Sequence, residues 1–216
     1  MTKLDEIAIS IEITLISIVE GFALSALAAS VLPSQALPLV YYPYAAAGLL
    51  FLLIFWSQSI VHAVSFIRWP LSPGHMMLYF VAAFIQVIAY GHLTNPTAWF
   101  FWWMIFVAIG LILYLVDLRV LRRERPHFTA IPGGTLFWKE VERRHVFEAR
   151  VIVSTALVFN IGLFIFCMTH PALATHFWFV IVTGIAQVLM GGLVLWEGLR
   201  NFVHRCKDIT PLYLEH

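Results

Sequence analysis

The chain has 216 residues, 61% of them apolar and only 12% charged, with 13 Lys and Arg against 12 Asp and Glu. A soluble domain of this length carries about a quarter charged residues, so the composition excludes an ordinary soluble fold. The even charge balance, with no basic stripe interleaved with aromatics, also excludes nucleic acid as a partner.

The charge is confined to blocks. No Asp, Glu, Lys or Arg occurs between Glu20 and Arg68, between Arg68 and Asp117, or between Arg150 and Glu197. A bilayer core is crossed by roughly 20 apolar residues in a helix, so each gap holds two spans and the turn joining them. The predicted fold is an all-α integral membrane protein, a single transmembrane domain covering 1–216. It is a six-transmembrane-helix bundle with spans at about 7–32, 44–67, 74–92, 97–116, 151–168 and 177–196. The turns 33–43, 92–98 and 169–176 carry no Lys or Arg, and all 13 basic residues fall at the other ends of the spans. The positive-inside rule then places both the N and C termini in the cytoplasm. The expected location is a bacterial inner (plasma) membrane.

In chain order, span one is expected to be retained and not cleaved as a signal peptide. Glu12 and Glu20 interrupt its apolar run, and no small-residue cleavage site follows. Pro33 stops it, and Tyr41, Tyr42 and Tyr44 suit an interfacial belt at the start of span two. Span two ends at Arg68-Trp69-Pro70. Asn95-Pro96 marks the turn before span four, whose opening cluster Trp99-Phe100-Phe101-Trp102-Trp103 reads as a second belt. The loop 117–150 is the one sizeable extramembrane segment, with eight basic residues against five acids. Pro126 and Pro132-Gly133-Gly134 are predicted to break it into two helical pieces, the second lying on the headgroups before span five. Arg122, Arg123, Arg143 and Arg144 are its candidate contacts to anionic lipid or a docking partner. Thr169-His170-Pro171 joins spans five and six, and Gly184, Gly191 and Gly192 in span six are expected to serve helix packing.

Glu20 stands out within the spans. Counting about 1.5 Å per residue from Ile7, it lies roughly 20 Å into span one. A carboxylate at that depth is costly, so it must face protein or water, pair with a partner or hold its proton. Ser17, one turn earlier, is predicted on the same side, and Gly21 and Ser25 continue a small-residue stripe. Gln58 and His62, four residues apart on span two, share a face. Glu20, Ser17, Gln58 and His62 are therefore the candidate ion pathway. Gln86, Asn160, Thr183 and Gln187 read first as interhelical glue.

No metal site is expected, because the chain has no His pair at i, i+3 or i+4 and no HExxH run. No cofactor is predicted either, although histidines at similar depth, such as His75 with His204, leave a bis-His haem or a pigment open. Cys167 and Cys206 fall near opposite faces and form no CxxC pair, so neither a disulfide nor thiolate chemistry is expected. Nucleophile elbows, aspartate-rich prenyl motifs, paired intramembrane aspartates and Walker loops are absent, and no enzymatic activity is assigned.

Ile18-Val19-Glu20-Gly21, Ser25 and Leu32-Pro33 in span one, with Trp56, His62 and Phe66 in span two, carry a resemblance. Over the first three spans the chain resembles the bacterial members of the endolysosomal potassium-channel family. The resemblance implies a small six-span protein that oligomerises and builds a cation pore from its first helix. In that family the first span carries an Arg and then Phe-Ser-Asp. Here the Arg is absent and Ile18-Val19-Glu20 stands in place of Phe-Ser-Asp. The expected function is an oligomeric cation or proton channel or transport protein, with Glu20 as its ionisable group. The alternative is an accessory or assembly subunit of a membrane complex with no transport of its own. Expected partners are the lipid bilayer and either further copies of the chain or a membrane-complex partner.

Overall fold

The computed structural model describes residues 3–32, 37–65, 73–129 and 134–214. Side chains are described within these ranges except at 3–9, 12, 61–65, 73, 75, 124, 127–129, 134–137 and 201–214. Every element among these residues is helical. The order is α1 (Lys3–Val31), a 3-10 turn (Leu39–Tyr41), α2 (Tyr42–Ser65), α3 (Pro73–Tyr90), α4 (Pro96–Thr129) and α5 (Gly134–Phe147). A π-helical stretch (Glu148–Val153) leads into α6 (Ser154–Thr169), the short α7 (Pro171–Ala174) and α8 (Phe177–Leu214). Five helices are long and apolar enough to cross a membrane: Ile13–Val31, Leu39–Ile60, Pro96–Arg123, Trp138–Thr169 and Phe177–Arg200. Met76–Tyr90 is a shorter apolar helix. Helix is the form such segments take, because it satisfies every interior backbone group within the segment.

Local chemistry sets the breaks. Pro96 opens α4 and Pro171 opens α7, where the first N–H groups of a helix have no partner within it. The Asn95 side-chain oxygen accepts the Ala98 N–H at 3.2 Å and caps α4.

The segment 117–150 forms two helical pieces, as expected, and departs from expectation at one point. Pro126 does not break it: α4 runs through the proline to Thr129. A proline this close to a helix end removes a bond only from the last turns and leaves the rest of the helix intact. The second piece packs on α4. Trp138 and Val141 of α5 pack with Leu121 of α4, and Arg122 pairs with Glu142 at 2.9 Å. Finally, no break separates this piece from the next apolar helix. No proline falls between 135 and 170, and α5 continues through the π-helical stretch into α6. There Ser154 Oγ donates to the Ala149 carbonyl at 3.0 Å.

In the bundle α2 packs on α8, α1 and α3, and α4 packs on α3 and α6. Between α2 and α4 the gap is bridged by rings. Tyr44 stacks on Trp99 with centroids 5.3 Å apart, Phe51 meets Trp103 at 4.6 Å, and Phe55 meets Phe106 at 5.4 Å. Positions 44, 51 and 55, and 99, 103 and 106, each follow one helix face. One turn beyond Phe55 and Phe106 the same faces carry Gln58 and Gly110, and the ring series stops. Glycines let the flanking helices close in: a Cβ on Gly184 would stand 2.6 Å from Pro43 Cβ, and one on Gly48 2.8 Å from the Tyr90 ring.

The ring series corrects part of the two expected belts, while Tyr42 remains exposed. Tyr44, Trp99, Phe100 and Trp103 are core residues, with Tyr44 and Trp99 fully buried. Their polar atoms tolerate burial where a neighbouring helix offers a partner. The Tyr44 hydroxyl bonds the Thr183 hydroxyl at 2.8 Å, and Trp99 Nε1 donates to Gln187 Oε1 at 2.9 Å.

Candidate functional site

The buried face of α1 is Ile16, Glu20, Ala23 and Leu27, a 4-3-4 spacing that turns one narrow stripe toward α2 and α3. Glu20 is 3% exposed. Among the described residues neither of its carboxylate oxygens has a hydrogen-bond partner. It borders a void of about 10 Å³ walled by Ile16, Val19, Phe55, Met76 and Tyr79. That space is about one water in size. A fully buried carboxyl without a partner is a rare arrangement and calls for a functional explanation.

The remaining candidates divide. Ser17 is exposed and does not join Glu20, and Gly21 and Ser25 are exposed beside it. A Cβ on Gly21 would meet nothing within 4 Å among the described residues. Gln58 is half-buried and faces α8, where its Nε2 would stand 3.0 Å from a Cβ on Gly198. The side chain of His62 lies outside the described residues. Three of the four loop arginines are held within the chain: Arg122 by Glu142, and Arg143 and Arg144 both by Glu140 at 2.8 and 3.2 Å. Arg123 is exposed.

The intramembrane amides act as connectors. Gln187 accepts from Trp99 and donates to Asn160 Oδ1 at 3.4 Å, and Asn160 donates to the Ala156 carbonyl at 2.8 Å. These bonds tie α4, α6 and α8 together at the end of the bundle where Trp99 sits. On α3, the Tyr90 hydroxyl bonds both the Gly48 carbonyl at 3.1 Å and Gln86 Oε1 at 3.2 Å. Gln86 Nε2 and Trp103 Nε1 are buried donors with no partner.

Three features carry no signal in the sequence alone. Phe55 lines both the void at Glu20 and a cavity of about 710 Å³ on the other side of α2. Asp117, expected as an ordinary flanking charge, is 2% exposed, with His145 Nε2 4.0 Å from its carboxylate. His145 Nε2 also lies 3.1 Å from the Tyr114 carbonyl oxygen, fastening α5 to α4. The 28 positions between Asp117 and His145 along the chain hide their pairing. Among the described residues no group of three or more His, Cys, Asp or Glu is placed to hold a metal ion.

The chain matches no protein-family model, and no curated protein or solved structure is detectably similar to it. Function has to be argued from the site alone.

Proposed function

We propose that the protein is a six-span membrane protein, both termini cytoplasmic, that carries a proton or small cation by way of Glu20. The observation carrying this reading is a carboxyl buried in an apolar helix with neither oxygen hydrogen-bonded among the described residues. In such surroundings a carboxyl rests either protonated or with a cation drawn beside it, because the bare charge is unfavourable. Alternation between those two conditions is the elementary step of ion or proton carriage. The polar groups of α3, Gln86 and Tyr90, continue from Glu20 toward the other end of the bundle.

Topology and assembly belong to the same proposal. As the sixth span, α3 has 18 residues, about 27 Å of helix, close to the roughly 30 Å hydrocarbon thickness. It runs beside α2 from the Phe55–Tyr79 contact to the Tyr90–Gly48 bond. The exposed Ser17, Gly21 and Ser25 face of α1 is available to a second copy of the chain. Potassium selectivity is not part of the proposal, since the Arg and Phe-Ser-Asp pattern of the resembling family is missing.

The test is flux. Purified protein in liposomes carrying a pH-sensitive dye, under an imposed potential, is expected to move protons or a tested monovalent cation. Glu20→Gln is expected to abolish that flux or change its pH dependence. Equal flux from the variant and the wild type, or no flux from the wild type, refutes the proposal.

A further inference from the structure

The large cavity has a cause in the sequence. Where the ring series between α2 and α4 ends, Gln58 and Gly110 leave the space unbridged, and a Cβ on Gly110 would meet nothing within 4 Å. Ala156 of α6 and Gly191 of α8 add little bulk to the far walls. The resulting volume of about 710 Å³ falls within the roughly 300–1,000 Å³ of small-molecule sites. Toward the Trp99 end the Asn160–Gln187 bond and the stacked Phe166 and Phe179 rings, 5.1 Å apart, link α6 to α8. Away from that end α6 stays with α4 and α8 with α2. Leu193, on the cavity wall, is 68% exposed, so the cavity is reached from the lipid side between α6 and α8.

The other end is polar. Arg143, Arg144 and Arg200 line it together with Glu148 and Glu197. Arg143 and Arg144 share the one carboxylate of Glu140, while Arg200 pairs with Glu197 at 2.8 Å. Part of this wall is the π-helical stretch, a distortion that recurs at functional sites. An apolar chamber with cations and carboxylates of similar number at its mouth complements an amphiphile whose headgroup carries both signs. Guanidinium groups match phosphate oxygens, and a carboxylate accepts from an ammonium.

We propose that this cavity binds one acyl chain of an aminophospholipid from the surrounding membrane, its phosphate against Arg143 and Arg144 and its ammonium at Glu197. The site is separate from Glu20 and stands whether or not Glu20 carries ions.

Native mass spectrometry of the detergent-purified, delipidated protein tests this after addition of dioleoyl phosphatidylethanolamine, phosphatidylcholine or phosphatidylglycerol. Wild type is expected to retain one phosphatidylethanolamine per chain, about tenfold more tightly than either other lipid. Ala156→Phe, which fills the chamber, is expected to lose that retention. Gly110→Leu fills it from the opposite wall and serves if the first variant misfolds by circular dichroism. Glu197→Gln is expected to erase the preference for ethanolamine over choline, while Arg143→Gln weakens all three phospholipids. Equal retention of the three lipids by wild type overturns the headgroup assignment. Unchanged retention in a folded chamber-filling variant overturns the cavity as the site.

Discussion

At Glu20 a charged-type side chain sits where an apolar one would be more stable, and the difference is measurable. An unpartnered buried polar group costs about 1–3 kcal/mol, so Glu20→Leu is expected to raise unfolding stability in detergent by about that amount. The same variant is expected to abolish flux in liposomes. A variant less stable than wild type would mean that the carboxyl has a stabilising partner after all. Glu20 was legible in the sequence because it is a lone acid inside a span. Its surroundings were not. Ser17 and Ile16 lie about 60° and 40° to either side of it on a helical wheel. Helix α1 is apolar nearly all round, so nothing in the sequence decides which of the two turns inward. The structure buries Ile16 and exposes Ser17.

Among the elements, the pairing of α2 with α4 through rings determines both the dry core and the cavity beside it. Trp99 and Tyr44 fit an interfacial belt by position, and position alone cannot distinguish a belt from a core reached by a neighbouring helix. The missing information was the partner: Gln187 lies 88 positions from Trp99 and Thr183 139 from Tyr44. Trp99→Phe leaves the Gln187 oxygen without its indole donor and is expected to cost about 1 kcal/mol of stability. With Gln187→Leu already present, Trp99→Phe is expected to cost clearly less. Additive losses in that double-mutant cycle would show that the bond contributes nothing. The breaks between elements were legible where proline or asparagine set them, as at Asn95-Pro96. They were misread at Pro126, because proximity to a helix end weakens the effect of proline.

For the whole molecule, the spacing of the charges was enough to anticipate a helical membrane protein. The count of spans rests on α3, whose apolar core is shorter than the others. Single cysteines, placed one at a time in a chain lacking Cys167 and Cys206, test the orientation. Thiol labelling of intact cells is expected at Ser34→Cys and Thr94→Cys, and at Arg123→Cys and Lys139→Cys only after permeabilisation. Labelling of Ser34→Cys and Thr94→Cys from opposite sides would remove α2 or α3 from the set of spans.

The central claim is that the Glu20 carboxyl changes its protonation or ion occupancy while buried in the membrane. Infrared difference spectroscopy of the reconstituted protein between acid and alkaline pH reads this directly. The account predicts a protonated-carboxyl stretching band that titrates in the wild type and is missing from Glu20→Gln. A band assigned to Glu20 that stays constant across the whole pH range would show a permanently neutral structural group and contradict it.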